Sequence, residues 1–374
     1  MNLFDVYPLW DIEPVKGLGC KLWDKNGVEY LDLYGGHAVI SVGHSHPTYV
    51  ERISEQVSQI GFYSNSVQNS LQRELAEKLG EASGYVDYSL FLCSSGAEAN
   101  ENALKLASFQ TGRKEILALK RAFHGRTSGA VEATDNPKIQ APFNQNGNVT
   151  FVEINDIEAA KAELLSGKYA AFIIEAIQGV AGIRLAEDSY LQEVAALCEQ
   201  SGTMLIFDEV QSGYGRSGNF FAHQKSGVKG DIITAAKGIA NGFPMGAVLV
   251  SDKIEAKHGM LGTTFGGSHL ACAAAIAVLD IIKAESLVER AKSMGEYIIE
   301  ELSKIDAIAT IRGRGLMIGF EVKSGFESLR SELLHKSHIF TGTAAGGVVR
   351  LLPPLVVSRE EIDRLICAIK EYTK

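Results

Sequence analysis

The chain is poor in cysteine, and the few cysteines it has are scattered. Only five occur among 374 residues, and no two of them have the C-x-x-C spacing of a zinc or redox motif. We therefore expect neither a disulfide framework nor a bound metal. This cysteine usage fits a reducing, cytoplasmic location.

Long apolar runs and basic runs are also missing. No stretch approaches the ~18 consecutive apolar residues of a membrane span, and the first ten residues lack the basic and apolar regions of a signal peptide. The formal net charge is −9, and an acidic chain without a lysine- or arginine-rich run is a poor binder of nucleic acid or anionic membranes. Small anionic ligands remain possible, because a site can be locally basic.

Short apolar runs that alternate with helical periodicity make up the middle of the chain. The apolar runs predict strands at residues 90–92, 116–119, 149–152, 172–174, 204–207 and 247–250. Stretches such as 97–109 and 188–200 have the spacing of amphipathic helices. This alternation predicts an α/β domain with a mostly parallel sheet.

The pattern changes after about residue 270. Helical stretches at 270–283, up to about 304, and at 358–372, with strand-like segments at 307–311 and 316–322, predict a smaller α+β domain. Near the start, segments 21–23 and 28–33 flank Asp24-Lys-Asn-Gly27, which is typical of a hairpin turn. A chain of this length also suggests two domains.

Two charged residues, Asp208 and Lys237, each follow a short apolar segment. Alone, Asp208 could cap a turn and Lys237 could be a solvated loop residue. Together they match the needs of pyridoxal 5′-phosphate (PLP), which requires a lysine amine for its imine and a carboxylate that keeps the pyridine nitrogen protonated. The freed lysine is then the natural acid–base group for proton transfer.

Two further motifs could complete such a site. Ser95, Gly96 and Ala97 stand between a strand and a helix, where backbone N–H groups and serine hydroxyls bind phosphate. Such residues also cap many helices. Phe123 and Arg126 could stack on a ring and bind a carboxylate, although a core Phe and a surface Arg would be the simpler interpretation without the other motifs.

Taken in order, the motifs resemble those of the class III, ornithine-type PLP aminotransferases, and most closely the N-acetylornithine/N-succinylornithine branch. The similarity runs nearly end to end. It is carried by Pro14-Val-Lys-Gly17, Trp23-Asp24, Gly43-His-Ser-His-Pro47, Ser95-Gly-Ala-Glu-Ala-Asn-Glu101, Phe123-His-Gly-Arg-Thr127, Glu175, Ile177-Gln-Gly179, Asp208-Glu-Val-Gln211, Lys237-Gly238, Gly262-Thr-Thr-Phe-Gly-Gly267 and Arg350-Leu-Leu-Pro-Pro354.

The resemblance implies a fold type I aminotransferase with PLP as cofactor. It implies a large PLP-binding α/β domain at 46–265, a small α+β domain at 266–374, and an N-terminal segment at 1–45 that packs with the small domain. The active unit would be a homodimer with its active sites at the interface. The other expected partners are small-molecule substrates, with no nucleic acid and no membrane.

The same resemblance assigns roles around the cofactor ring. Lys237 is the expected Schiff-base lysine and Asp208 the partner of the pyridine nitrogen. Gln211 is expected to bind the ring hydroxyl, and Phe123 and Val210 to sandwich the ring.

The phosphate and the substrates have their own expected residues. Gly96 and Ala97 would supply amides to the phosphate, which Thr264 of the neighbouring subunit would also reach. Arg350 is the expected clamp for the α-carboxylate of glutamate and 2-oxoglutarate. Arg126 is expected to hold a carboxylate of an N-acylornithine.

Two positions depart from the family pattern. Many relatives carry, after Ile-Gln-Gly, a glutamate that pairs with the C-terminal arginine; here the position is Val180, so Arg350 lacks that partner. His37 stands where relatives often have an aliphatic or aromatic residue, near the distal end of the substrate. A histidine that can carry a positive charge would tolerate a succinyl group well, so we predict that N-succinylornithine is used at least comparably to N-acetylornithine. A histidine that only satisfies a backbone carbonyl is an equal alternative.

The predicted reaction is a ping-pong transamination. An N-acyl-L-ornithine gives its δ-amino group and leaves N-acyl-glutamate 5-semialdehyde, and 2-oxoglutarate takes up the amino group as glutamate, in arginine biosynthesis. N-acetylornithine is the first candidate, N-succinylornithine a close second, and ornithine or another ω-amino acid the third. An aminomutase would use much the same cofactor motifs, but Arg350 favours transamination. A regulator with an aminotransferase-like domain would need a basic DNA-binding module, for which residues 1–40 show no helix-turn-helix pattern.

Overall fold

The computed structural model describes all 374 residues. The seventeen strands are β1 (Pro14–Leu18), β2 (Lys21–Asp24), β3 (Glu29–Asp32), β4 (Ser89–Cys93), β5 (Glu115–Leu119), β6 (Val149–Val152), β7 (Tyr169–Ile174), β8 (Ile177–Gln178), β9 (Arg184–Leu185), β10 (Met204–Asp208), β11 (Ile232–Ala235), β12 (Gly246–Val250), β13 (Ile308–Arg314), β14 (Met317–Val322), β15 (Ile339–Phe340), β16 (Gly342–Thr343) and β17 (Val349–Leu351).

The helical segments are fewer and mostly longer. They are α1 (Gly35–Ala38), α2 (Pro47–Gln59), α3 (Ser70–Ser83), α4 (Gly96–Thr111), α5 (Ser128–Glu132), α6 (Ile157–Leu164), α7 (Asp188–Ser201), α8 (His269–Ala284), α9 (Leu287–Ser303), α10 (Leu329–His335) and α11 (Arg359–Tyr372). No helix combines the length and the hydropathy that a membrane crossing requires.

A seven-stranded sheet forms the centre of the molecule, in the order β4-β12-β11-β10-β7-β5-β6. The pairs from β11 to β6 are parallel, and β12 is antiparallel to both of its neighbours. Every residue of β7, β10, β11 and β12 is buried. Strands covered on both faces read as continuous apolar runs, which is why the sequence predicts this mostly parallel sheet correctly.

Two smaller sheets lie outside the central one. The antiparallel strands β1, β2 and β3 confirm the predicted hairpin and add a strand before it, while β15 joins this sheet parallel to β3. The second is an antiparallel sheet in the order β13-β14-β17-β16. The pairing of β3 with β15 joins the start of the chain to its C-terminal third. Local sequence patterns do not predict a pairing over this distance in the chain.

The predicted helices α4, α7, α8, α9 and α11 are present with boundaries that differ by one to a few residues. Helix α8 has eleven buried residues out of sixteen and packs against α2 and α3. Burial on all sides explains its alanine-rich sequence, because an all-round apolar helix belongs in a core.

Candidate active site

A cavity of about 390 Å³ opens at the edge of the central sheet where the parallel strands end. Its walls come from the segments that follow β4, β5, β7, β10 and β11, together with residues just before β12. Ligands of open α/β sheets bind beyond the carboxyl ends of the strands, and this volume is that of a small-molecule site.

Asp208 lies at the bottom of this cavity, at the end of β10, and is 4% exposed. Its Oδ2 accepts hydrogen bonds from Nδ1 of His124 and Nδ2 of Asn100, both at 2.7 Å, and its Oδ1 accepts one from the backbone N–H of Val210 at 3.0 Å. Thr234 in turn donates to Oδ1 of Asn100. A carboxylate held by three N–H groups is fixed in orientation.

Two further ionisable groups, His124 and Glu175, surround Asp208. Burial lowers the pKa of His124, but the hydrogen bond and charge of Asp208, with the charge of Glu175, raise it above its ordinary value. Burial and the charge of Asp208 raise the pKa of Glu175 to about 7, against the opposing effect of His124. The Glu175 carboxylate accepts the backbone N–H groups of Phe123 (2.8 Å) and Gly179 (3.3 Å), so it joins two walls of the cavity.

Lys237 follows β11 and lines the same cavity. Its backbone φ is +49°, a left-handed value that is strained for a lysine and is concentrated at functional sites. Burial lowers the pKa of its ammonium, as does Arg350, while Asp208 and Glu175 oppose the change. A lysine with a lowered pKa is a better nucleophile and proton acceptor near neutral pH. We call Asp208, His124, Asn100, Glu175 and Lys237 the cavity floor.

The N-terminus of α4 forms another wall, with Ser95, Gly96 and Ala97 lining the cavity. Ser95 is the N-cap, and its hydroxyl accepts the backbone N–H of Glu98. The first N–H groups of a helix have no partner within the helix and bind anions well. A Cβ on Gly96 would lie 2.6 Å from Cγ1 of Val210, so the glycine is what lets these two walls approach.

Phe123, Val210, Gln211 and Arg126 also line the cavity, as the sequence predicts for ring and substrate contacts. Gln211 donates to the backbone oxygen of His37 at 3.4 Å, and its own Oε1 is buried without a partner. Together with the helix N-terminus and the Asp208–Lys237 pair, this orphaned acceptor fits a ring with a hydroxyl group and a phosphate.

Arg350 lies beside the cavity rather than on its surface. It is 5% exposed and makes no ion pair. One terminal nitrogen donates to the backbone oxygen of Gly179 at 3.2 Å, the other donates to the hydroxyl of Tyr34 at 3.1 Å, and Nε is buried without a partner. Val180, which follows Gly179 and is 41% exposed, lines the cavity.

His37 lies next to Tyr34 in the left-handed turn α1, with φ +66°, and its Nδ1 is hydrogen-bonded to the Tyr34 hydroxyl. Partial burial and the charges of Arg350 and Lys237 lower the pKa of His37. A lowered pKa favours the neutral ring, which is an N–H donor, over the cationic histidine that the sequence suggests. We call Tyr34, His37, Gly179, Val180 and Arg350 the arginine cluster.

Thr264 does not line the cavity. It is exposed and belongs to the loop between β12 and α8. The flanking residues of this loop contact Asn65 and Gln72 at a separate surface depression. Within one chain, then, nothing brings Thr264 to the other predicted phosphate ligands.

Sequence reasoning gave no role to His124, Asn100, Glu175 or Tyr34. Asn100 had a readable signal, because it lies on the same helix face as Ala103, Leu104 and Ala107, where a polar residue needs a buried partner. His124 lies within the motif Phe123-His-Gly-Arg-Thr127, where a ring contact from Phe123 and a carboxylate contact from Arg126 explain the pattern without it. Tyr34 left no signal, since its contact with Arg350 spans 316 residues.

Comparison with known proteins agrees with this geometry. The family model of class-III aminotransferases matches residues 6–372. The acetylornithine aminotransferase of Bacillus cereus is 40% identical over 377 residues, covering 99% of this chain and 97% of that protein.

Solved structures agree as well. The crystal structure of acetylornithine aminotransferase from Elizabethkingia anophelis has a TM-score of 0.87 at 31% identity, covering 99% of this chain and 96% of that one. An ornithine aminotransferase from Toxoplasma gondii, described with partial occupancy of PLP at its active site, has a TM-score of 0.90 at 28% identity, covering 99% and 92%. The expected fold type I architecture is confirmed, and the chain belongs to the class-III aminotransferases as a PLP-dependent transaminase.

Proposed function

We propose that this transaminase moves the δ-amino group of an N-acyl-L-ornithine to 2-oxoglutarate. The main support is that Lys237 and Asp208 line one cavity. Arg126 lies on the wall of this cavity and Arg350 lies beside it. Two separate cations suit a reaction whose two substrates both carry carboxylates. The acetylornithine aminotransferases found as relatives support the choice of an N-acylated donor.

PLP, when bound, supplies the electron sink that the breaking of a Cα–H or Cδ–H bond needs. The protein supplies the rest. Asp208, held by His124 and Asn100, is placed to keep the pyridine nitrogen protonated. Lys237 would hold the cofactor between turnovers, and its amine would then be placed to move the substrate proton. Phe123 and Val210 would hold the ring between them, while Ser95, Gly96 and Ala97 would bind the phosphate.

N-acetylornithine is the first candidate donor and N-succinylornithine the second. The neutral His37 can still donate a hydrogen bond from Nε2 to an acyl oxygen or a distal carboxylate, because its Nδ1 is taken by Tyr34. Free ornithine or another ω-amino acid comes third. Use in arginine biosynthesis would follow from the first candidate.

The assembly we propose is a cytoplasmic homodimer with residues of both subunits in each site. The exposed position of Thr264, away from the cavity of its own chain, suits a contact with the partner's phosphate site. We also propose the division into segments 1–45, 46–265 and 266–374, supported by the β3–β15 pairing of the first and last segments.

Mixing two damaged subunits tests the shared site. Thr264→Ala should weaken cofactor retention by roughly 1.5–3 kcal/mol, the value of one hydrogen bond to a charged group. In hybrids with Lys237→Ala, one of the two sites regains both residues, so activity should rise above that of either parent. No recovery despite proven subunit exchange would argue against the shared site.

Steady-state rates test the substrate. With 2-oxoglutarate as acceptor, the kcat/KM values for N-acetylornithine and N-succinylornithine should lie within about tenfold of each other and both should exceed that for free ornithine. Glutamate should form in equal amount to the N-acyl-glutamate 5-semialdehyde. A preference for free ornithine over both acylated donors would refute the proposal. Isomerised donor without glutamate would indicate an aminomutase instead.

A further inference from the structure

The guanidinium of Arg350 is buried without a carboxylate partner. Burial lowers its pKa, the charge of Glu175 raises it and that of Arg330 lowers it, and no acidic oxygen lies within 4 Å of the guanidinium. A buried cation without a counter-ion is costly and persists where function requires it. Its two protein contacts, Gly179 and Tyr34, are neutral acceptors.

Those two contacts fix the plane of the guanidinium. Gly179 accepts from one terminal nitrogen and Tyr34 from the other, and each terminal nitrogen of an arginine carries two hydrogens. One N–H therefore remains on each side. Nε is also buried without a partner. Arginine N–H groups on a plane that is already fixed can bind a carboxylate bidentately.

The ring of Tyr34 is positioned by the strand pair β16–β17. A Cβ on Gly342 would lie 2.1 Å from Cε2 of Tyr34, so this glycine makes room for the ring. Gly342 is paired with Arg350 across β16 and β17. The tyrosine ring is thus seated against the same strand pair that carries the arginine.

His37 fixes the direction of the tyrosine hydroxyl. Burial raises the pKa of Tyr34, so the phenol is protonated near neutral pH. Because Arg350 can only donate, the Tyr34 oxygen must accept from it. The Tyr34 proton then goes to Nδ1 of His37, whose lowered pKa keeps it a free acceptor.

We propose that Tyr34 is the positioning residue of Arg350: its neutral phenol, oriented by His37, holds the guanidinium with its charge uncompensated and ready for a dicarboxylate. This proposal deepens the proposed function, on which it rests for the identity of the amino acceptor. Tyr34 thereby gains a role in carboxylate binding through its contact with Arg350 and not through contact with the cofactor.

The test uses the PLP-loaded enzyme and glutarate, a five-carbon dicarboxylate that lacks the keto group and cannot react. Calorimetry should show that Tyr34→Phe weakens glutarate binding by about tenfold, the size of one lost hydrogen bond to a charged group. The matched control is Tyr88→Phe, which loses a phenol–carbonyl hydrogen bond of 2.7 Å to Gly230 at the opposite edge of the sheet. The control should bind glutarate like the wild type.

Kinetics separate positioning from a general structural role. Tyr34→Phe should raise KM for 2-oxoglutarate by the same factor and leave kcat at saturation within about twofold. In an Arg350→Lys background the tyrosine substitution should add little, because neighbours that act as a unit are not additive. Unchanged or tighter glutarate binding in Tyr34→Phe, or full additivity with Arg350→Lys, would overturn the proposal.

Glutarate binding does not involve an amino donor. Failure of the Tyr34 proposal is therefore seen in the calorimetry, whereas failure of the proposed function is seen in the rates on acylated and free ornithine.

Discussion

The cavity floor and the arginine cluster are built on opposite principles. The floor is buried and interlocked: Asp208, His124 and Asn100 are 1–4% exposed and hydrogen-bond one another. In the arginine cluster, a cation meets only neutral acceptors, and His37 and Val180 are exposed.

This difference separates chemistry from selection of substrate. The charged groups of the cavity floor are paired with one another, so their orientation is fixed. They can act in the same way on every amino donor and acceptor. A cluster with an uncompensated cation and an exposed histidine can be altered without touching the cofactor, so substrate preference can change there. Substitutions in the two regions should therefore differ in kind, with the floor affecting all substrates alike and the cluster affecting them selectively.

The largest effect is expected at Lys237. Lys237→Ala should lower turnover with every substrate by at least about 10²–10⁴, the range for loss of a positioned acid–base group. Borohydride should no longer fix PLP to the protein, as measured by mass spectrometry. Lys225→Ala, which removes an exposed lysine paired with Asp188, is the control. Normal rates and covalently fixed PLP in Lys237→Ala would show that another lysine forms the imine with PLP.

Asp208→Asn comes next. The amide no longer keeps the pyridine nitrogen protonated, so we expect at least a hundredfold loss of kcat in both half-reactions; the analogous Asp→Asn change in a serine-protease triad costs ~10⁴. Asp231→Asn is a matched control, because this aspartate lies at the other end of the sheet and binds Leu205 and Lys253. Near-normal turnover of Asp208→Asn with PLP bound would contradict the role of the floor.

A smaller and selective effect is expected at His37. His37→Ile should lower kcat/KM for N-succinylornithine by ~1–3 kcal/mol if Nε2 donates to its distal carboxylate, and should change N-acetylornithine less. The measured quantity is the ratio of the two kcat/KM values. An unchanged ratio would make His37 a structural residue that serves Tyr34 alone.

The smallest effect concerns stability and pH. The folded-state pKa of Glu175, about 7, lies above the ordinary value of 4.5 for a glutamate. Between these values the folded protein holds a proton that the unfolded chain releases, so this group lowers stability as pH rises from about 4.5 to about 7. Glu175→Gln removes that dependence, so the cofactor-free variant should gain on the order of 1–3 kcal/mol relative to wild type between pH 5 and pH 8.

Denaturant unfolding at the two pH values measures this gain. Glu77→Gln, an exposed residue of α3, is the control and should show no such difference. A difference of the opposite sign would mean that Glu175 is ionised in the fold at pH 5.

The sequence singles out Asp208 and Lys237 of the cavity floor and Arg350, His37 and Val180 of the arginine cluster, but gives no role to Asn100, His124, Glu175 or Tyr34. The strand-ending Asp208 and Lys237 are local features of single segments, so apolar runs and motifs reveal them, and the parallel sheet brings their ends together. The Tyr34–Arg350 and β3–β15 contacts join distant parts of the chain. They depend on how the smaller sheets dock, which periodicity does not encode.

The charge state of His37 was also beyond the sequence. The type of residue suggested a cation, but its pKa is lowered by partial burial and by Arg350 and Lys237, which only the fold brings near. Helices α2 and α3 were likewise not predicted, although both are regular helices of more than twelve residues. The sequence therefore predicts the strands and helices next to the motifs better than the helices that lie between motifs.

The most direct test compares Asp208→Asn and Tyr34→Phe in the two half-reactions, each followed separately by single-turnover spectroscopy. Asp208→Asn should slow the N-acylornithine and 2-oxoglutarate half-reactions by similar factors. Tyr34→Phe should lower kcat/KM for 2-oxoglutarate by about tenfold and should affect the half-reaction with N-acetylornithine much less. Equal losses in both half-reactions of Tyr34→Phe would contradict the separation of cavity floor from arginine cluster.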